Sequence, residues 1–372
     1  MCYTHDGVAE EHSFNHKQNR RSPQPLRPAL SVTGRKEFWA ERLSCRRDTV
    51  KPFKENVPLA RFSHITIGGP ARYFFVARNE ADVKRAVREA KRRKLKIVVL
   101  GGGTNVLIGD EGIDGLVIKM EMGGMKGSGT RITVEAGVMM ANLLRHAAGR
   151  SLAGLEWAGG LPGTVGGAIR GNAGCFGGEM KDAVVAVRSM DLATMKIVAR
   201  TAAQCRFAYR DSVFKKNNGK EVILSATLAL KKGNKKDIAK VIRERIRYRT
   251  EHHPLEHPNI GSIFKNIPLH AVHKKGSAPY ARAASAQTLA YRGASFSVKT
   301  DPFPVLSAGK MIAEAGLRGV SNGGAMFSPK HPNFIVNALG AEAKDVASLV
   351  TLAKAEVRRR FGVRLEEEVQ ML

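Results

Sequence analysis

The sequence predicts a mixed fold of the α+β class, organised around glycine-rich connections. Three observations carry this expectation. A helix pattern at residues 79–90 leads into a strand pattern at 97–100, and strand and helix patterns recur to about residue 250. The 97–100 strand opens directly into Gly101-Gly102-Gly103-Thr104-Asn105. A second stretch, 155–178, LEWAGGLPGTVGGAIRGNAGCFGG, holds nine glycines and almost no charge. Glycine reaches positive φ at little steric cost and lets backbone approach a neighbour closely. This density therefore points to backbone N–H groups turned onto something large, flat and partly anionic. A flexible linker is the alternative. Against it, the stretch is rich in Leu, Val, Ile, Ala and Trp157 and poor in the Ser, Lys and Glu of solvated linkers.

In chain order, residues 1 to about 50 lack sustained periodicity and carry Arg20-Arg21, Pro23, Pro25 and Pro28. They read as a disordered or loosely attached basic extension. A globular pattern starts near Val57. Asn79 is placed to cap a helix whose apolar positions, Val83, Ala86, Val87 and Ala90, follow i, i+3, i+4, i+7 spacing. Ile97–Leu100 reads as a short buried strand. A strand ending in consecutive glycines, then Thr and Asn, makes a nest of amide donors suited to a pyrophosphate; a tight turn is the alternative. No amphipathic helix opens straight after it, so it is not the dinucleotide GxGxxG. Residues 115–118 and 131–135 read as strands, 140–148 as a helix, and 184–190 and 222–230 as strands. Ile238, Val241, Ile242 and Ile246 mark a further helix ending in Arg247-Tyr248-Arg249.

Composition narrows the classes. A chain of 372 residues has room for two or three domains. No apolar run reaches the roughly 18 residues of a membrane span, and the first residues lack the apolar core of a signal peptide. Cys2, Cys45, Cys175 and Cys205 show no metal-ligand spacing, so neither a zinc site nor a disulfide framework is indicated and a reducing cytoplasm is expected. The net charge of +28, from 61 Lys plus Arg against 33 Asp plus Glu, attracts polyanions and equally small phosphorylated substrates. Much of it lies in solvated helix patterns such as 91–94 and 358–360, without interleaved aromatics. A basic surface is therefore favoured over a nucleic-acid site.

Seven motifs then occur in order: ITIGGPARYF (65–74), VLGGGTNVL (99–107), GLEWAGGLPGTVGGAIRGNAGCFGGE (154–179), FAYRDSVFK (207–215), GSIFKN (261–266), HPNFIVN (331–337) and LEEEV (365–369). Over roughly residues 55–372 the chain closely resembles the UDP-N-acetylenolpyruvoylglucosamine reductase family, and its GNAGCFGGE form is similar to the second subtype. The resemblance implies an FAD-binding fold of two α+β subdomains, of the vanillyl-alcohol-oxidase type, and a third, substrate-binding α+β domain. On that template the first subdomain covers 51–118, with the tail 362–372 returning to it. The second covers 119–250 and the third 251–361. It further implies that NADPH reduces FAD and leaves, and that UDP-N-acetylglucosamine enolpyruvate enters the same space. Hydride then reaches the vinyl carbon and a serine supplies the proton. A monomer is expected, with no metal, membrane or nucleic acid as partner.

Hydride addition to an enol-ether carboxylate drives charge onto the carboxylate, where a cation and a hydrogen-bonding acid must meet it. Arg210 matches the family's arginine and brings a planar donor fork. Glu368 matches its glutamate, which helps most as a proton or hydrogen-bond donor. Ser262 matches the proton donor; a hydroxyl is a poor acid, so it must act at short range on a strongly basic carbon. Taken singly, Ser262 reads as a turn residue, Arg210 as a surface ion pair and Glu368 as one acid of a solvated run. The resemblance also implies FAD contacts at Gly101, Gly102, Gly103, Thr104, Asn105, Gly163, Thr164, Gly167, Ala168, Gly171 and Asn172. Substrate contacts are expected at Tyr209, Lys265 and Asn266. His331 and Asn333 either touch substrate or order the core of the third domain.

Departures from the family pattern are local. Ile267 replaces a usual proline, and about 40 residues, 267–307, are inserted, with Lys274, Lys275, Arg282, Arg292 and Lys299. A polar, basic insert of this kind reads as a lid or as a surface loop. His252-His253 stands where a Lys-Gln pair is common. Two rival readings remain: another flavoenzyme of the same superfamily, against which the YRDS, GSIFKN and LEEEV motifs argue, and an inactive basic nucleic-acid-binding protein on this fold.

Overall fold

A computed structural model of the chain describes residues 53–217, 219–273, 277–300 and 303–372. The expected extension at 1–50, and Lys274 and Lys275 of the insert, lie outside the described residues. The first sheet joins β1 (Lys54–Pro58), β2 (Pro70–Ala77), β3 (Ile97–Leu100) and β5 (Ile113–Met120) in the order β1-β2-β5-β3. β2, β5 and β3 run parallel, and β1 pairs antiparallel with β2. The crossover from β2 to β3 is α1 (Glu80–Arg92). Its first turn is capped by Asn79, whose side-chain oxygen accepts from Asp82 N–H at 2.9 Å, a device contributing about 1 kcal/mol. Val83, Ala86, Val87 and Ala90 form its buried face, as the spacing predicts. β4 (Val106–Leu107) lies between β3 and β5 in sequence but belongs to another pairing, below.

The second sheet is antiparallel, in the order β9-β8-β10-β7-β6: β6 (Met125–Ser128), β7 (Arg131–Glu135), β8 (Val184–Asp191), β9 (Ile197–Thr201) and β10 (Glu221–Ala229). With α2 (Met140–Gly149) and the short α3 (Val165–Arg170) it shares one apolar core with α1, including Ile132, Leu143, Trp157, Ile169 and Phe214. α4 (Lys235–His252) closes this part of the chain. Alternation along β7, with Ile132 and Val134 buried between exposed neighbours, is the period-2 pattern of a half-buried strand.

A second core is built around Phe264, Met311, Phe327, Ile335 and Phe361. It underlies a sheet in which β11 (Asn259–Ser262) pairs with Phe334–Asn337, which in turn pairs with Ala325–Phe327. The described part of the insert is not a plain loop. It folds as β12 (Ile267–Pro268), α5 (Ala278–Ser285), β13 (Thr288–Tyr291), β14 (Ala294–Lys299) and β15 (Val305–Leu306), in the order β12-β15-β14-β13. Leu269, Ala283, Phe296 and Leu306 anchor it in the second core. α6 (Ala308–Glu314) and α7 (Ala343–Phe361) follow; α7 ends on Gly362 at φ 68°, a left-handed position suited to glycine. The chain then runs back so that β16 (Gln370–Met371) pairs parallel with β4.

Candidate functional site

Two glycine-rich segments meet at the C-terminal end of β3. A Cβ on Gly101 would lie 2.5 Å from Thr164 Oγ1, and one on Gly102 would lie 2.7 Å from Gly163 Cα. Gly163, at φ +97°, faces Thr104 Oγ1 in return, with only 2.7 Å for a Cβ. Any larger residue on this seam forces the segments apart. Gly103 turns at φ +68° beneath the Phe62 carbonyl, and its own carbonyl accepts from His64 N–H at 2.9 Å. Beside it Ser63 is 5% exposed and its hydroxyl has no hydrogen-bond partner. Sequence reasoning passed over Ser63, because a lone serine carries no motif signal. It also passed over Lys119, whose ammonium donates to the Gly101 carbonyl and whose pKa burial pulls down.

Thr164 caps α3 by accepting from Gly167 N–H. Gly167 is exposed, Ala168 is buried, and Gly171 closes the helix. Asn172 makes internal bonds. It is fully buried at φ 43°, its amide donates to Glu179 Oε2 and Ala208 O, and its oxygen accepts from Lys181 N–H. The side chain thus braces the glycine stretch against the 207–211 turn.

That turn presents Arg210. Ala208 and Asp211 bridge across it, and Arg210 itself sits at φ 54°. The guanidinium donates to Gly174 O at 2.7 Å, and its Nε lies 2.8 Å from Glu368 Oε1. Burial is the largest influence on Arg210 and opposes its charge, but Glu368, Tyr209, Cys175 and Glu179 together outweigh it and the pKa stands above its ordinary value. The guanidinium also lies over the Tyr209 ring, 5.1 Å from its centroid. Burial pushes the Tyr209 phenol up. Lys215, from the same motif, donates to Arg210 O at 3.1 Å; burial, with Lys265 and Arg170 nearby, lowers its pKa. Such crowding of cations suits an anionic ligand. Glu368 thus faces the Arg210 guanidinium directly.

Ser262 ends β11 at an irregular register between Asn259 and Ser262, next to Gly261 at φ +79°. A Cβ on Gly261 would come within 4.0 Å of Thr104 O, so the serine strand abuts the glycine seam. Its next residue, Ile263, accepts from Glu368 N–H at 2.8 Å, and Asn105 Nδ2 donates to Glu368 O at 3.2 Å. Backbone bonds tie the segments around 105, 262 and 368 together, and the Arg210–Glu368 ion pair adds the 210 turn. Asn333, 3% exposed, accepts from Phe264 N–H and donates to Phe264 O. These bonds are those of a core-ordering residue, one of its two expected roles. His331 differs. Its Nδ1 is buried without a partner, and burial lowers its pKa to about 4. Lys265 pairs with Glu366 at 3.2 Å. Asn266 N–H donates to Tyr209 OH at 3.2 Å, and its side-chain oxygen accepts from Ala308 N–H. Among the described residues, no group of three or more His, Cys, Asp or Glu could hold a metal ion.

A family model for the C-terminal domain of UDP-N-acetylenolpyruvoylglucosamine reductase matches residues 253–372, and one for an FAD binding domain matches 71–199. The UDP-N-acetylenolpyruvoylglucosamine reductase of Lactobacillus delbrueckii subsp. bulgaricus is 34% identical over 324 residues, covering 86% of this chain and 95% of that protein. That of Clostridioides difficile is 34% identical over 321 residues, covering 86% and 93%. The crystal structure of UDP-N-acetylenolpyruvylglucosamine reductase from Thermus caldophilus superposes with a TM-score of 0.65 at 29% identity, covering 86% of this chain and 99% of that one.

Proposed function

The chain belongs to the UDP-N-acetylenolpyruvoylglucosamine reductase family, and from that premise we propose how its own residues carry the reaction. It is an FAD-dependent oxidoreductase of peptidoglycan precursor synthesis, reducing UDP-N-acetylglucosamine enolpyruvate to UDP-N-acetylmuramate with NADPH as reductant. Bound FAD supplies two-electron transfer, taking hydride from NADPH and delivering it to the enolpyruvyl double bond. The glycine seam suits such a group through its missing side chains: a Cβ at Gly101, Gly102 or Gly163 would force its two segments apart, and the unpartnered Ser63 hydroxyl borders it. Gly101–Asn105, Gly163, Thr164, Gly167, Ala168 and Gly171 would hold the cofactor, with Ser63 added and Asn172 withdrawn.

Reducing the double bond adds hydride at one carbon and a proton at the other. Charge left on the second carbon spreads into the substrate carboxylate. Arg210, held by Gly174 O and Glu368, presents a fixed cation to that carboxylate. Glu368 orients the fork. Ser262 gives its proton to the carbon beside the carboxylate. Tyr209, Lys265, Asn266 and His331 bind the nucleotide sugar. The observation carrying this reading is the convergence of the Arg210–Glu368 pair on the strand of Ser262, itself against Thr104.

On this reading 51–118 and 119–250 are the cofactor-binding subdomains, 251–361 binds substrate, and 362–372 serves the first. The enzyme acts as a cytoplasmic monomer, and wall growth, cell shape and division depend on its product. No helix among the described residues is long and apolar enough to cross a membrane.

The test is Ser262→Ala, followed through both half-reactions. Bleaching of the flavin by NADPH stays within about twofold, while its return with the enolpyruvyl nucleotide slows by at least ~100-fold, the scale of lost acid catalysis. Equal slowing of both halves would remove Ser262 from the proton-donor role.

A further inference from the structure

The insert at 267–307 leaves the chain directly after Asn266 and returns at Ser307, so it hangs from the substrate strand. Its two ends are zipped together: Ile267 and Pro268 pair with Leu306 and Val305, and Asn266 accepts from Ala308 N–H. Just before its return, Phe303 meets Tyr209 edge-on, with ring centroids 5.1 Å apart and planes at 83°. Tyr209 carries the Arg210 guanidinium on its face and accepts from Asn266 N–H. The ring thus touches both an inserted phenylalanine and the arginine of the reaction.

The far side of the insert grips a different support. Tyr291 OH donates to Phe361 O at 3.1 Å, and Phe296 packs edge-on against Phe361 at 5.5 Å. Arg292 lies beside Gly362, where an added Cβ would come within 3.1 Å of its guanidinium. Phe361 and Gly362 are the root of the tail that carries Glu368.

We propose that the insert is a positioning brace for the Arg210–Glu368 pair, with Phe303 the positioning residue that acts through Tyr209. An aromatic pair of this geometry favours one ring orientation. Fixing Tyr209 fixes the surface on which the Arg210 fork rests. Holding Phe361 and Gly362 sets where the tail starts toward Glu368. The two partners of the ion pair come from segments far apart in the chain, so a single element gripping both supports keeps their spacing. Because this assignment rests on the function proposed above, the experiment separates the two.

Phe303→Ala, Phe303→Tyr and Tyr291→Phe are compared with the wild-type holoenzyme by rapid mixing. In Phe303→Ala, bleaching by NADPH stays within about twofold while colour return with UDP-N-acetylglucosamine enolpyruvate slows about tenfold, in kcat more than in KM, as for a displaced catalytic group. Phe303→Tyr, which keeps the ring, restores the return to within about threefold. Tyr291→Phe, which only removes the far hydrogen bond, slows the return alone, by about threefold. An unaltered return in Phe303→Ala overturns the brace, as does parallel loss of both half-reactions that tyrosine does not rescue. A wild-type enzyme whose colour does not return with the nucleotide sugar overturns the functional reading and the brace with it. Wild-type turnover beside an unaffected Phe303→Ala overturns the brace alone.

Discussion

Asn172 was expected at the cofactor and Asn333 at either the substrate or the core; here the Asn172 amide bonds Glu179 and backbone, and the Asn333 amide bonds backbone alone. A buried amide left unsatisfied costs about 1–3 kcal/mol, which is why such side chains take the nearest backbone partners. Motif membership cannot tell a residue that touches a ligand from one that holds the residue that does. The partner of Asn333 lies 69 positions away, and no spacing rule reaches that far. His331 shows the reverse: its Nδ1 is buried and unpartnered, and its pKa falls to about 4, chiefly through burial. Burial does the same to His253, which faces Arg249, His331, His252 and Lys330. Near His331 the facing charges are Lys299, Arg318 and His252. An unfolded histidine takes its proton near pH 6.5, the folded pair only near 4. The unfolded state therefore binds more protons in that window, and stability present above pH 6.5 is lost as pH falls toward 4. Thermal melts between pH 7 and 4.5 fall by about 5 °C more in the wild type than in His253→Gln/His331→Gln. Equal pH slopes in the two would refute this.

Among the elements, strands and helices were largely legible because their signals are local. The α1 cap at Asn79, the run of β3 into glycines and the alternation in β7 all lie within a few residues of what they specify. What those glycines face was not legible, since Gly102 meets Gly163 across 61 positions. The insert was misjudged for another reason. Its overall composition is polar and basic, and composition hides the few inward residues, Leu269, Ala283, Phe296 and Leu306, that fold it. The seam gives the sharpest test. In Gly102→Ala the new methyl points at backbone 2.7 Å away, which cannot yield like a side chain. FAD affinity falls by at least about tenfold, measured by flavin fluorescence on titration, as for a misfitted cradle. Gly149→Ala, with nothing within 4 Å, is the control and leaves it unchanged.

For the molecule as a whole, the net charge of +28 is the feature that fold does not explain. Most of it is solvated, but a minority is gathered inward: Arg170, Lys119 and Lys215 are all held below their ordinary pKa by burial. Both substrates carry several phosphate charges, so the basic surface speeds their capture and salt weakens it. Between 50 and 500 mM salt the KM for NADPH and for the nucleotide sugar rise together by roughly threefold or more. A KM flat in salt would leave the surface charge without a role in capture. The pairing of β16 with β4, and the bond from Asn105 to Glu368 across 263 positions, close one of the longest loops the chain contains. Closing long loops is entropically slow, and contacts of such separation form after local ones. On refolding, both cores can begin to condense around their own strands before residues 366–371 dock and Val369 completes the second core. In that interval the protein is a nearly native but inert scaffold. Its competence arrives as a separate kinetic event, when the tail locks home.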